Sequence, residues 1–440
     1  MSGKFKRTAA AIAAIIMCCA ALSGCGKENA DSTQGGGDTS ETTSASAAAG
    51  AETTAAEITA AADSNEVDPS VPVNLEEGVS EKMYSRAIMS EGNITRLAAA
   101  MKKAQNGEEI TVGVIGGSIT QGSLASTPAN CYASKFNDWW VNKFPNAKVN
   151  FVNAGIGGTN SYLGVHRVDD QLLSYNPDVV IVEFSVNDGD KVMNRYSYDS
   201  LVRKILGHST NPAVMLLFTT MDNGTSLQDV HKEIGEAYDL PMISYHDAVY
   251  PEVAAGTLEW KSISPDNIHP NDAGHDIINQ IVSRYLDGVY DKLDSVAEEP
   301  AAFTDDALTA DYYANAKMLS AADITATSME GFEVVDKTLY DQFHNNWKTE
   351  AGGTMTFDIE CQNMGMFFLC TTDGKSGKFE VYIDGERKGT MDADFRGGWG
   401  NYGNTQQVLF SKDTAKHPVE IKPAEGREDK GITILGIMVS

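Results

Sequence analysis

The sequence predicts an α/β protein with two folded units: a three-layer domain on a parallel sheet, then an antiparallel, jelly-roll-like β-sandwich. Three observations predict it. Between about residues 80 and 295, short apolar runs alternate with helical patterns, as parallel strands covered on both faces do. Beyond about 313 the helical periodicity vanishes, and six or more short strand-like runs follow, separated by Gly and Asn clusters. At about 150 residues per domain the total of 440 residues suggests two or three units, and two once an unstructured start is set aside.

The start reads as an address. Lys4, Lys6 and Arg7 precede an apolar run over 9–22 that ends Leu22-Ser23-Gly24-Cys25, the layout of an export signal. The run is short for a membrane span. Its ending resembles a bacterial lipoprotein signal, which implies that 1–24 are removed and that the Cys25 sulfur is lipidated. Residues 25–75 are rich in Ala, Thr, Ser, Gly and acid. Such a stretch buries too little to offset its chain entropy, and as a flexible tether it reaches on the order of 35–40 Å. The expected location is the bacterial cell membrane, lipid-anchored, on the extracellular side.

Composition narrows the partners. With 61 acidic against 34 basic residues the net charge is −27, which argues against nucleic acid, since phosphate backbones are bound by surplus Lys and Arg. Six cysteines are too few for a disulfide scaffold. Cys361 and Cys370 are able to pair, but nothing in the sequence requires it, and Cys131 reads as a buried helix residue.

The first domain spans 80–295. Strands are expected at 109–115, 149–152, 178–184, 213–218 and 242–243, with helices between them, among them 131–144 (ended by Pro145), 226–238 and 274–285. In such sheets sites form at the carboxyl ends of the strands. After the first strand comes Gly116-Gly117-Ser118-Ile119-Thr120, after the second Gly155-Ile156-Gly157-Gly158, after the third Ser185-Val186-Asn187-Asp188, and late in the block Asp266-Asn267-Ile268-His269. A serine is a poor nucleophile until a base takes its proton, and histidine titrates near working pH. Asp266 is three residues before His269, placed to fold back and hold its imidazole. The amides of Ser118 and Gly158 and the side chain of Asn187 can converge on an oxyanion, where each donor is worth about 2.7–4 kcal/mol.

On these four blocks the region from about 110 to 285 resembles the SGNH (GDSL-type) hydrolases. The resemblance implies an esterase with Ser118 as nucleophile, Asp266 and His269 completing a triad, and Ser118, Gly158 and Asn187 forming the oxyanion hole. Two departures stand out: Gly-Gly-Ser-Ile-Thr replaces the usual Gly-Asp-Ser-Leu, and Ser185 replaces a customary Gly. No cofactor and no metal is implied, and no metal-ligand spacing is present. Elsewhere in the block, Trp139 and Trp140 read as core and flank. His166 and Arg167 read as partners of Asp169 or Asp170, His231 as a surface residue, His275 as a helix-start residue, and Trp260 as a candidate wall of the substrate pocket.

Residues 296–312, acidic and Ala-rich, read as a linker, and 313–440 as the sandwich accessory domain, which loosely resembles those attached to bacterial carbohydrate esterases. Its strands are expected at 355–361, 365–371, 378–383, 406–410, 418–422 and 432–439. Trp347, Trp399 and Tyr402 are its candidate exposed aromatics. The last two lie in a Gly- and Asn-rich loop suited to stacking on sugar rings or to covering the hydrolase cleft. The expected activity is removal of acetyl or other small acyl groups from an acetylated poly- or oligosaccharide, with membrane contact through the lipid alone. The alternatives are a lipid-directed esterase (lysophospholipase or thioesterase) and a non-catalytic carbohydrate-binding lipoprotein.

Overall fold

The computed structural model describes residues 65–189, 192–297 and 299–440. The expected signal, most of the tether and Cys25 fall outside the described residues. Among those described, no helix is long and apolar enough to cross a membrane.

Six strands build the first sheet: β1 (Ile88–Ser90), β2 (Ile110–Gly116), β3 (Val149–Gly155), β4 (Val179–Glu183), β5 (Ala213–Phe218) and β6 (Met242–Ser244), in the order β1-β6-β5-β4-β2-β3. All neighbours are parallel except the β1–β6 edge pair. β1 was not expected, because three half-buried residues carry no periodicity to read. β2, β4 and β5 are buried throughout, as runs such as Val179-Val180-Ile181-Val182 require when helices cover both faces. Helices Thr95–Gln105, Tyr132–Lys143 and Asp272–Tyr290 form one outer layer, and Ser161–Gln171, Val192–Leu206 and Gln228–Ala237 the other.

The second sheet has nine antiparallel strands: β7 (Lys317–Leu319), β8 (Ala326–Glu330), β9 (Glu333–Val335), β10 (Asn346–Thr349), β11 (Thr354–Cys370), β12 (Lys378–Ile383), β13 (Glu386–Asp392), β14 (Tyr402–Pro423) and β15 (Ile432–Val439). The main path is β13-β12-β14-β11-β15-β10-β9, with β7 on β15 and β8 on β11. Here the sequence reading is corrected. The runs 355–361 and 365–371 are one strand, β11, and 406–410 and 418–422 are one strand, β14. Register shifts between Cys361 and Asn363 and between Met364 and Gly365 bend the pair, as bulges do, so one long ribbon serves both halves of the curled sheet. Trp347 is not exposed; it lies in the core at 1% exposure because β10 is paired on both sides. Cys131, Cys361 and Cys370 are free and buried. Cys131 stands just before its helix rather than within it.

Two cores result. One is internal to the curled sheet and includes Trp347, Phe357, Phe368, Ile421 and Ile434. The other joins the two sheets: Tyr162, Leu163, Tyr198 and Leu201 of the first domain pack in one cluster with Tyr313, Phe343, Phe367, Leu369, Leu435 and Met438. Among its described residues the segment 296–312 has no helix or strand. It is nonetheless tied down, since Arg203 pairs with Asp305 at 2.7 Å and with Asp311 at 2.6 Å.

Candidate active site

The site is built at the carboxyl ends of β2, β3 and β4 and on the loop before Asp272–Tyr290. β2 ends at Gly116, and Gly117 leads into the single helical turn Ser118–Gln121. A β-carbon on Gly117 would come within 2.2 Å of Asn187 Oδ1, so any side chain there would push the Asn187 amide out of place. The Ser118 block and the Asn187 block thus pack backbone against side chain. Ser118 is 7% exposed, and its Oγ lies 2.9 Å from His269 Nε2. His269 Nδ1 lies 2.8 Å from Asp266 Oδ2.

Asp266 folds back as the three-residue spacing predicts. Its Oδ1 accepts the N–H groups of Ile268 at 2.8 Å and His269 at 2.7 Å. Burial pushes its carboxyl up, but the hydrogen bonds from the His269 ring and these two amides outweigh burial and hold it below the ordinary carboxylate range. Asp266 is therefore an anion against the imidazole, an arrangement that fixes the tautomer with Nε2 free to take a proton from Ser118. Trp260, expected as a pocket wall, is turned inward. It is 8% exposed, and its indole N–H donates to the Asp266 carbonyl at 2.7 Å, so it braces the loop rather than offering a face to a ligand.

Gly157 and Gly158 divide the work after β3. The Gly157 N–H donates to Gln121 Oε1 at 2.9 Å. Gly158 is exposed and has φ +74°, a left-handed conformation that glycine adopts without strain. Asn187 lines a cavity of about 210 Å³ together with Gly158, Thr159, Asn160, Val186 and, from β14, Gly403, Asn404 and Thr405. Trp399 and Tyr402 approach the same place. A β-carbon on Gly158 would lie 3.7 Å from Trp399 Cη2 and 3.8 Å from Tyr402 Cδ2. The two rings meet at 5.1 Å between centroids with their planes tilted by 31°, and Phe395 packs edge-on against both. Trp399 is 43% exposed. The sandwich loop therefore stands at the mouth of the hydrolase cleft.

Other residues correct the sequence reading. His166 does not pair with Asp169 or Asp170. It is buried, with Nδ1 2.6 Å from the Tyr162 carbonyl, among Tyr162 and Tyr313, and burial pulls its pKa from 6.5 to about 3. Asp169 pairs with Lys204 instead. Arg167 is buried without a carboxylate and donates to the carbonyls of Ala154 and Gly116, joining the ends of β3 and β2. His231 is buried rather than on the surface. It stacks on Tyr198 at 3.6 Å and lies 3.0 Å from Asp188 Oδ2, while Asp188 Oδ1 accepts the Ser161 N–H at 2.8 Å. Glu183, also buried, went unremarked inside an apolar run; its interruption of Val-Val-Ile-Val was the available signal. Among the described residues no group of three or more His, Cys, Asp or Glu could hold a metal ion.

Residues 114–277 match the model of the GDSL-like Lipase/Acylhydrolase family. Thioesterase 1/protease 1/lysophospholipase L1 of Escherichia coli strain K12 is 25% identical over 170 residues, spanning 37% of this chain and 76% of that protein. Two crystal structures of a two-domain esterase active on acetylated mannans are similar over both domains. The one co-crystallised with mannopentaose is 33% identical, with a TM-score of 0.75, and covers 81% of this chain and 97% of its own. The other is 32% identical, with a TM-score of 0.76, and covers 81% and 98%. The chain belongs to the GDSL-like lipase/acylhydrolase family, and it is a hydrolase of carboxylic esters.

Proposed function

We propose that this protein is a serine esterase that removes O-acetyl groups from carbohydrate, with acetylated mannan as the first substrate to test. The observation that carries the reading is the nearness of Trp399 and Tyr402, from the sandwich, to Gly158, the glycine read as an oxyanion donor. The similarity to an esterase active on acetylated mannans, extending over both domains, supports it.

On this route His269 takes the Ser118 proton as Oγ attacks the acetyl carbonyl. The oxyanion is held by the N–H groups of Ser118 and Gly158 and by the Asn187 amide. His269 then gives its proton to the departing sugar hydroxyl. Water attacks the acyl-enzyme, losing a proton to His269, and acetate leaves as Ser118 Oγ recovers that proton. Trp399 and Tyr402 stack on the sugar and hold it while the ester is cleaved.

Acetate release from acetylated mannan, acetylated xylan and an aryl acetate, by wild type and by Ser118→Ala, Trp399→Ala and Tyr402→Ala, tests this. Ser118→Ala is expected to abolish all three activities, and the aromatic variants to lose polysaccharide turnover while sparing the aryl acetate. Cleavage confined to long-chain acyl esters would favour the lipid-directed reading, which the 25% likeness to the thioesterase/lysophospholipase makes the one to exclude.

We further propose that the enzyme is anchored at the bacterial cell membrane by lipid on Cys25, on the strength of Leu22-Ser23-Gly24-Cys25 and the basic, apolar stretch before it. Cys25→Ser is expected to move the protein from the membrane fraction to the soluble one. Equal membrane recovery of both forms would refute the anchor.

A further inference from the structure

Glu183 ends β4, the central strand whose other residues are Val179, Val180, Ile181 and Val182, and it is completely buried. A carboxylate in such a place is costly unless hydrogen bonds satisfy it. It has two, one from the nucleophile turn and one from the end of the adjacent strand. Oε2 accepts the Thr120 hydroxyl at 3.0 Å, and Oε1 accepts the Thr219 hydroxyl, from just beyond β5, at 2.7 Å. Thr120 follows Ser118 by two residues in the same helical turn.

The Thr120 hydroxyl lies 2.7 Å from the Tyr132 hydroxyl as well. Having one proton, Thr120 gives it to Glu183 and accepts from Tyr132, so the chain runs Tyr132 to Thr120 to Glu183. The charged group that most affects Glu183 is Asp188, of like sign. Burial is the main influence on Glu183 and pushes it up to about 7, against the pull of these hydrogen bonds. A chain that needed only a packed strand end would place another valine here. What Glu183 adds is an acceptor that reaches the turn bearing Ser118 from the side away from solvent.

We propose that Glu183 is a positioning residue for the esterase reaction: its carboxylate holds Thr120, in the same turn as Ser118, and so keeps Ser118 Oγ in line with His269 Nε2. The inference rests on the reading of Ser118 as nucleophile. Glu183 touches no substrate atom; it acts through the turn. A side chain with this role changes the rate of acylation and leaves substrate binding alone, whereas a merely stabilising one lowers the amount of folded enzyme and leaves the turnover of each folded molecule alone.

The test uses the protein without its signal, folded as shown by its near-ultraviolet circular dichroism, with active sites counted by a fluorophosphonate that labels the nucleophilic serine. Ser118→Ala, Glu183→Ala, Glu183→Gln and Thr120→Val are compared on an aryl acetate. Glu183→Ala is expected to lower kcat and the labelling rate by about 10- to 100-fold, the scale of a misplaced reacting group, with KM within about twofold. Glu183→Gln keeps one carbonyl acceptor and is expected to recover a substantial part of the loss. If Glu183→Ala fails to fold, Thr120→Val decides, since it deletes the bond to Glu183, along with that to Tyr132, and leaves the carboxylate in place; a several-fold fall in kcat at constant KM supports the proposal. Unchanged kcat and labelling rate in folded Glu183→Ala, or in Thr120→Val if Ala does not fold, overturn it. Full activity in Ser118→Ala would instead overturn the nucleophile reading, a separate failure.

Discussion

Ser118 and His269 are 151 positions apart, yet their atoms meet at hydrogen-bond distance because each sits where its backbone leaves a regular element. The residue-level consequences are sharp. Asn187→Ala removes one of the three proposed oxyanion donors, and kcat on an aryl acetate is expected to fall by about 10²–10³ with little change in KM. Ser118→Ala is expected to cost more, at least about 10⁴-fold, because the remaining groups then have no nucleophile to serve. His166 makes a different prediction. The unfolded chain protonates it below 6.5, whereas the folded protein resists protonation down to about 3. Between those values the unfolded state binds more protons, so stability falls as pH falls through that window. His166→Gln is expected to flatten the fall of the urea midpoint from pH 6.5 toward 4. It will not abolish the fall, because burial also depresses His275, to about 4. An identical slope in both proteins would count against this account.

At the scale of elements, the loop 264–271 is held by more than the Asp266–His269 pair. Trp260 N–H and Ser264 Oγ both donate to the Asp266 carbonyl, and Ser264 Oγ also reaches the His269 carbonyl. Trp260→Phe keeps most of the ring and deletes one donor, for an expected loss of about 0.5–1.5 kcal/mol in stability; chemical denaturation reads it directly. How much of this was legible follows from what each element writes into its residues. Ser118, Asn187, Asp266 and His269 stand at strand ends or in short loops, where polar residues in an apolar frame are conspicuous, so those blocks could be read. The five parallel strands were legible by short runs rich in apolar residues. Trp260 was misread because residue type does not say which way a ring faces, and His231 because the tyrosine and the aspartate that bury it lie on other elements. The long strands β11 and β14 were each split in two because a bulge breaks the two-residue alternation without ending the strand.

At the scale of the whole molecule, β11 and β15 carry a signal whose meaning the domain-by-domain reading passed over. Ile432–Val439 is buried at every position, and so is β11 from Asn363 onward. Strands with one wet face alternate; strands covered on both faces do not. Here Phe367, Leu369, Leu435 and Met438 turn toward the hydrolase, and Phe368, Ile434 and Ile437 toward the sandwich interior. Calorimetry of the protein without its signal is therefore expected to give one cooperative unfolding transition, not two. A fragment ending near residue 300 is expected to aggregate, since it exposes the hydrolase share of that cluster. Two separate transitions, or a soluble and fully active fragment, would show the domains to be independent.

The loop bearing Trp399 and Tyr402 gives this union a consequence for inheritance and engineering. Binding modules joined by free linkers can be traded between enzymes, because nothing in the catalytic part depends on which module follows. Here the piece that borders the cleft is also half of a core. A chimaera that keeps residues 67–300 and imports a foreign module would lose both at once, so the sandwich is not an exchangeable cassette.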